Sequence, residues 1–358
     1  MLLTRRRAAR RRGDDRGAVA AVAAVFVGSG VALGICALVV DVGLIYAEHK
    51  QLQTGADAAA VEVARVCATS AVACGAPESG AAATAYAQVN VPDGEATAVV
   101  CGRGGGLSEC PAPSDATCTG PAPEAGVYAE VHTSILTADG STLLPPVFAQ
   151  AVVDDYDGAA VTACARVTWG SPTAARGLAL TTSTCDWKRM TRGGGALPST
   201  EQAVALYADT DPAACGRGGT GAGDPGGFRW VAGADSTCRT STSTSTPLRA
   251  TLPDERPNGC LEVLESLIAT PGQAVAVPIF AKVTDAGDGG FAYAVQGVAA
   301  FVVTGWQLPD SVVPSPNLSS CGAGVSTCVY GFFTRAVVPG GGTVGGPDLG
   351  AQITALIG

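Results

Sequence analysis

Residues 18–40 read AVAAVAAVFVGSGVALGICALVV, and this stretch decides how the rest of the chain is organised. It contains no charged residue over its 23 positions. As an α-helix rising about 1.5 Å per residue, it is roughly 34 Å long, which is enough to cross a hydrocarbon core of roughly 30 Å. The stretch therefore predicts a transmembrane helix.

The charges on the two sides of this helix differ in sign. Arginines crowd the N-terminal side, and Asp41 follows directly on the C-terminal side. Because positively charged flanks remain in the cytoplasm, we predict a cytoplasmic basic arm over 1–17, a single span over 18–40, and an extracytoplasmic body. The arginines of the arm are Arg5, Arg6, Arg7, Arg10, Arg11, Arg12 and Arg16.

The apolar stretch is expected to remain attached to the mature protein. It is longer than the 7–15 apolar residues of a secretory signal, and no A-x-A cleavage site follows it in good register. The chain has a net charge of −9, so the part beyond the basic arm is strongly acidic. This distribution indicates an anchor in the cytoplasmic membrane and no nucleic-acid partner.

Cysteine usage supports an exported body independently. Of the 13 cysteines, Cys36 lies inside the apolar stretch, and the other twelve lie in the body. An even number in an exported body predicts up to six disulfides, whose pairing the sequence leaves open. Metal binding is the weaker alternative, because no C-x-x-C occurs and His49 and His132 are the only histidines. The candidate disulfide cysteines are Cys67, Cys74, Cys101, Cys110, Cys118, Cys164, Cys185, Cys215, Cys238, Cys260, Cys321 and Cys328.

The helix is expected to continue past the membrane. Residues 44–73 contain no proline, and apolar residues recur in them at three- and four-residue steps, which predicts one narrow apolar face. We therefore predict a juxtamembrane helix over 41–75, ending near Pro77. The residues of the face are Leu52, Ala56, Ala59, Val63 and Val66.

Beyond this helix the pattern is typical of a mainly β body. A short helix over 79–90 is followed by stretches of Val/Thr-rich alternation separated by Gly, Pro and Asp, which predict strands and loops. The overall fold class is thus a transmembrane helix continuing into a juxtamembrane helix, followed by a disulfide-stapled, mainly β extracytoplasmic body. The predicted divisions of the body are a β-rich module over 76–190, a Gly/Ser/Thr-rich linker over 191–258, and a C-terminal β-rich module over 259–358.

Residues 16–64 combine motifs that resemble a known family. Arg16-Gly17 precedes the apolar helix, Asp41-Val42-Gly43 follows it, and Leu52-Gln53 precedes the run Ala56–Ala59. This combination resembles the N-terminal segment of Tad-type (tight adherence, Flp pilus) assembly proteins, the TadE/TadG-like family. Residues 260–335 look like the secreted body of actinobacterial members.

The resemblance implies a membrane protein with one N-terminal span that helps to assemble or anchor Flp pili. The implied partners are the membrane and other pilus-assembly or TadE-like proteins. One feature departs from a processed pilin, which is expected to carry Glu five residues after the cleavage-site glycine. The fifth residue after Gly17 is Val22, which favours a retained anchor over a processed subunit.

Five residues at the outer end of the helix are the candidate contacts to a partner: Asp41, Gly43, Leu52, Gln53 and Asp57. Asp41 can instead be a surface carboxylate that marks the end of the span, since a charge deeper in the membrane is costly. Asp57 can instead face solvent.

The sequence contains little that indicates catalysis. There are two histidines, and no serine lies in a G-x-S-x-G elbow. We therefore expect no enzyme activity, no cofactor, no metal and no small-molecule substrate, and a structural or assembly role. The alternatives are an anchored adhesin or cell-wall-binding module and, less favoured, an anchored hydrolase with paired carboxylates.

Overall fold

The computed structural model describes residues 15–91, 95–111, 120–137, 139–151, 156–206, 226–251, 255–286, 291–322, 324–339 and 342–357. Most of the predicted basic arm, together with Cys118 and Cys215, lies outside the described residues.

A single helix, α1, runs from Asp15 to Thr69 and contains 55 residues. It joins the predicted span and the predicted juxtamembrane helix without a break. Its most apolar 18-residue stretch has a mean hydropathy of 2.4, and none of that stretch is buried. Among the described residues, α1 is the one helix long and apolar enough to cross a membrane. The predicted long N-terminal helix followed by a mainly β body is confirmed.

The outer helix ends slightly earlier than predicted. After Thr69 the helical conformation is interrupted at Ser70. The Ser70 side chain accepts a hydrogen bond from the Ala73 N–H and caps a short second helix. Capping side chains of this kind satisfy an otherwise unpaired N–H at a helix start. The helices are α1, α2 (Ala71–Cys74), α3 (Pro77–Val89), α4 (Thr184–Met190) and α5 (Cys260–Ala269), with a 3₁₀ helix at Ala149–Ala151.

The strands are distributed over the whole body. In the first half they are β1 (Ala96–Arg103), β2 (Tyr128–Ile135), β3 (Leu143–Leu144), β4 (Ala159–Ala160), β5 (Thr162–Gly170), β6 (Pro172–Leu178), β7 (Leu180–Ser183) and β8 (Gln202–Ala205). In the second half they are β9 (Phe228–Trp230), β10 (Arg239–Ser243), β11 (Leu248–Arg249), β12 (Ala274–Asp285), β13 (Phe291–Leu308), β14 (Ser311–Val313), β15 (Cys328–Thr334), β16 (Ala336–Val337), β17 (Gly342–Val344) and β18 (Ala351–Leu356).

Helix α1 packs its outer half on a five-stranded sheet with the order β1-β2-β5-β18-β16. Leu52, Ala56 and Ala59 are fully buried there and Val63 is 2% exposed, as the periodicity predicts. Val66, at the end of the predicted face, is half-buried. Small side chains on this face allow the helix to lie close to the sheet, and α1 therefore forms part of the core of the body.

Helix α3 lies against α1 and β1. A Cβ atom added at Gly55 of α1 would lie 3.1 Å from the Cα atom of Ala87 in α3, which is tighter than an ordinary contact. The glycine is explained by this close approach, and the two helices cover one face of the sheet together.

A second, eight-stranded sheet has the order β8-β15-β13-β12-β7-β9, with β11 and β14 also paired to β13. The long strand β13 contributes its centre, and the fully buried Trp306 and Tyr293 belong to it. Helix α5 packs against the same strand. A three-stranded sheet with the order β10-β6-β17 and the β3-β4 pair complete the described strands.

Strands cross the predicted divisions of the body. Strand β18, near the C-terminus, pairs with β5 in the first sheet, and β12 pairs in parallel with β7. The segment 191–258, expected to be a linker, contributes β8, β9, β10 and β11 in its described parts. In these parts Trp230 is buried and Cys238 is bonded to Cys260, so the described strands of the segment pack as part of the body. The boundaries of folding units within the body remain predictions.

Four disulfides join described cysteines: Cys67–Cys74, Cys101–Cys110, Cys238–Cys260 and Cys321–Cys328. Cys164 and Cys185 are disulfide-bonded as well. Cys36 is a free thiol and is exposed on the apolar part of α1. The first bridge links the end of α1 to α2, so it fastens the outer helix to the body.

The pairing predicts a specific result in mass mapping. When the full chain is alkylated without reduction and digested, the cysteines of the four bridges above should remain unalkylated and should react only after reduction. Cys36 should carry the alkyl group, because it is the free thiol. Six or more alkylated body cysteines would contradict a body stapled in an oxidising compartment.

Candidate functional site beyond the apolar stretch of α1

Asp41 marks the point at which helix α1 leaves its apolar stretch, and its side chain is only 7% exposed. Its carboxylate accepts hydrogen bonds from three consecutive backbone N–H groups. Val147 donates to Oδ1 at 3.0 Å, Phe148 donates to both oxygens, and Ala149 donates to Oδ2. Hydrogen bonds to a charged acceptor are stronger than neutral ones, so this carboxylate holds the loop to the helix.

The loop held by Asp41 is apolar and lies along α1 on both sides of that residue. Leu144, Pro145 and Pro146 pack near Leu44 and Ile45, on the body side. Phe148 lies on the other side of Asp41, beside the apolar stretch. The loop therefore crosses the level of Asp41 and continues along the apolar stretch of the helix.

Gln53 and Asp57 form a second polar group on the same helix, one turn apart. The Gln53 Nε2 atom donates to Asp57 Oδ1 at 2.9 Å and to the backbone oxygen of Cys164 in β5 at 2.9 Å. His49 lies one turn before Gln53, and its Nδ1 is 2.9 Å from the backbone oxygen of Thr162. These contacts connect α1 to the backbone of β5 by polar groups beside the alanine-rich face.

The remaining two predicted residues have opposite environments. Leu52 is fully buried, and the Thr133 hydroxyl of β2 donates to its backbone oxygen. Gly43 is exposed, and a Cβ atom added there would meet nothing within 4 Å. Asp41, Leu52, Gln53 and Asp57 thus have contacts within this chain, while Gly43 lies on an open face.

The five candidate residues all lie on α1, and this helix is the part of the chain that matches a known family. Residues 17–66 match the family model of the TadE/G-like Flp pilus-assembly domain. The resemblance inferred from the residues is confirmed over this segment. The match covers α1 almost from end to end and includes none of the β body. No match was found among curated proteins or among solved structures.

The TadE/G-like segment includes both the exposed apolar stretch and the buried face that packs on the sheet. Val19, Phe26 and Leu33 are 68–74% exposed, whereas Ala60 and Ala64 are fully buried. One helix therefore combines a surface suited to lipid or to other helices with a surface that belongs to the body.

Sequence reasoning did not find the loop that Asp41 holds. One of the stretches of Val/Thr-rich alternation covers residues 147–168, but the structure has a 3₁₀ helix at Ala149–Ala151 and begins β5 only at Thr162. A signal was present in Pro145-Pro146, which cannot donate to a strand ladder and which precede an uncharged apolar pair. Nothing in the sequence linked this pair to Asp41, about a hundred residues earlier.

A cluster of possible metal ligands in the body is accounted for by other bonds. Cys101, Cys110, Glu130 and His132 bring one ligand atom each within 4.8 Å of one another. The two sulfurs are joined in a disulfide, and the buried Glu130 is paired with Arg166 at 2.7 Å. A cysteine binds a metal as a thiolate, so this arrangement in its oxidised form lacks the ligands of a zinc site.

Two of the carboxylates that line a groove in the C-terminal half of the body, Asp235 and Asp310, are held by hydrogen bonds and an ion pair. Hydrogen bonds from the Thr237 hydroxyl and the Arg239 N–H hold the pKa of Asp235 well below its usual range. The Arg256 guanidinium lowers the pKa of Asp310, with nitrogen–oxygen distances of 2.7 and 2.8 Å. A general acid needs a raised pKa, so these two groups serve as hydrogen-bond and ion-pair partners.

Removing the Asp41 carboxylate should free the loop. In Asp41→Ala, the amide hydrogens of Val147, Phe148 and Ala149 should exchange with solvent on the order of 100-fold faster, because the charged acceptor is lost. Hydrogen–deuterium exchange on the full chain in detergent measures this. Asp57→Ala is the matched control, since its carboxylate accepts from Gln53 and should leave these three amides unchanged. Equal protection in Asp41→Ala and wild type would contradict the role of Asp41.

Proposed function

We propose that this protein is a membrane-anchored structural component that assembles or anchors a Tad/Flp-type pilus or a related secretion system. The observation that carries the proposal is the family match, which covers the exposed apolar stretch and its continuation into the body. In this proposal the basic arm is cytoplasmic, α1 crosses the cytoplasmic membrane once, and the β body is extracytoplasmic. The protein acts by binding and not by catalysis.

Partner helices are proposed to dock on the open face of α1 close to the membrane. Val42 and Tyr46 are 62% and 63% exposed, and Gly43 between them has open space around it. Small and apolar residues on a helix face allow another helix to approach closely near the bilayer. Gly43 is therefore the predicted partner residue best placed for direct contact, and Asp41, Leu52, Gln53 and Asp57 are proposed to orient that face.

The architecture rules out a simple deletion as the test. Residues 52–68 of α1 supply buried side chains to the body, so removing the helix would also unfold the sheet that packs on it. A point change on the open face keeps the core intact and is the sharper experiment.

The test is photo-crosslinking in cells that carry the pilus genes. A photoreactive residue at Val42 or Tyr46 should form an adduct with another pilus-assembly or TadE-like membrane protein, identified by mass spectrometry. Gly43→Leu should lower the adduct yield at Tyr46 severalfold, because the larger side chain separates the helices, and should reduce the number of pili. The photoreactive residue at Val312, which is exposed on β14, is the control and should give no such adduct.

Two outcomes would overturn the proposal. One is a normal pilus count in cells lacking the gene. The other is adduct formation with surface polymers at Val312 and none at Val42 or Tyr46, which would favour an adhesin or wall-binding module.

A further inference from the structure

The loop that Asp41 holds has an unusual combination of properties. Residues 143–151 read LLPPVFAQA and carry no charge. At its tip, Val147 is 58% exposed and Phe148 is 48% exposed, although both are large apolar side chains. A surface that faced only water would rarely present two such neighbours on a loop beside an exposed apolar helix.

The tip lies beside the part of α1 that is expected to be in the membrane. Phe148 borders an open apolar groove with Gly30, Leu33, Gly34, Ala37 and Val40 of α1. Ala37 is about one helical turn, roughly 6 Å, from Asp41 in the direction of the membrane, and Gly34 is about two turns away. If 18–40 spans the bilayer, Phe148 lies below the membrane surface.

The donors of the loop are arranged as a lipid environment requires. Backbone N–H groups exposed to hydrocarbon are costly unless they are bonded within the protein. Pro145 and Pro146 have no N–H, and the next three N–H groups are those bonded to Asp41. Five consecutive residues therefore present no unpaired backbone donor.

We propose that the Val147–Phe148 tip inserts into the outer leaflet of the bilayer, as a second membrane contact beside the span. The occupant of the groove next to Phe148 is then lipid acyl chain, continuous with the lipid around α1. Asp41 acts as a positioning residue, because it satisfies the donors of the tip and fixes its depth. The inference rests on the proposed membrane anchoring, and it adds that one loop of the body also contacts the membrane.

A second copy of α1 is the competing occupant of this groove, because Gly30 and Gly34 have the spacing that lets helices approach. Lipid is favoured because the exposed apolar surface of the tip joins that of α1 and because its donors are already satisfied. A helix packed over the groove would shield Phe148 from lipid, so the two occupants give different results in the test.

The experiment uses tryptophan fluorescence of the full chain in phosphatidylcholine vesicles with brominated acyl chains. The variant Phe148→Trp places the probe at the tip. Phe26→Trp, in the middle of the apolar stretch, reports insertion of the span, and Val312→Trp reports an exposed site on the β body. The four native tryptophans are buried in the body, so the wild-type chain supplies the background.

The expected result is quenching of Phe148→Trp clearly above background, stronger with bromines near the headgroups than with bromines near the chain ends. Phe26→Trp should show the opposite depth preference, and Val312→Trp should remain at background. Combining Phe148→Trp with Asp41→Ala should lower the quenching at least twofold. Val147→Trp provides a second probe if Phe148→Trp fails to fold.

Three results would overturn the inference. In the first, Phe148→Trp and Val147→Trp give only background signal while Phe26→Trp is quenched. The tip then faces water or a second copy of the chain, and the proposed membrane anchoring is retained. If Phe26→Trp is not quenched, residues 18–40 do not span the bilayer, and both the proposed anchoring and this inference are wrong. Unchanged quenching in the Asp41→Ala combination removes the positioning role of Asp41.

Discussion

The packing of one alanine-rich helix face onto the first sheet is the interaction on which the rest of the structure depends. Ala56, Ala59, Ala60 and Ala64 are fully buried between α1 and the strands. Each contributes little apolar area alone, but small side chains bring helix and sheet backbones close, and larger ones would cost about 1–3 kcal/mol each through overpacking. Because the same helix continues into the apolar stretch, the candidate membrane span and part of the core of the body belong to one element.

This continuity is accompanied by polar contacts between the body and the part of α1 that follows the apolar stretch. Asp41 binds the N–H groups of a loop, and Gln53 binds a backbone oxygen of β5. Both contacts join the helix to the body beyond the apolar stretch, where a flexible connection would otherwise be expected. The Cys67–Cys74 bridge adds a covalent link where the helix ends.

The sequence predicted those features that depend on local pattern. An uncharged apolar stretch and a narrow apolar face were enough to locate α1, because helix periodicity is visible in a short window. The candidate residues on α1 were found through the resemblance of its motifs to a family. The contacts of Asp41, Leu52 and Gln53 with the body could not be predicted, since they join residues 81 to 111 positions apart.

The features that sequence reasoning missed depend on long-range pairing. Strand β18 pairs with β5 across most of the body, and β9 and β10 lie in a segment with the composition of a linker. The local sequence of Gly- and Thr-rich strands only weakly indicates a strand. Whether such a segment forms a strand depends on its packing against buried neighbours such as Trp230. A protein of this kind is therefore described incompletely by its composition alone.

In the proposed arrangement, α1 is one rigid helix from the membrane to the core of the body. A distance measurement by double electron–electron resonance tests it, with one spin label on the native free thiol Cys36 and another on a non-canonical residue at Val99, which is exposed on β1. The account predicts a single, narrow distance distribution in lipid vesicles. A broad or double distribution would show a hinge between the span and the body and would contradict it.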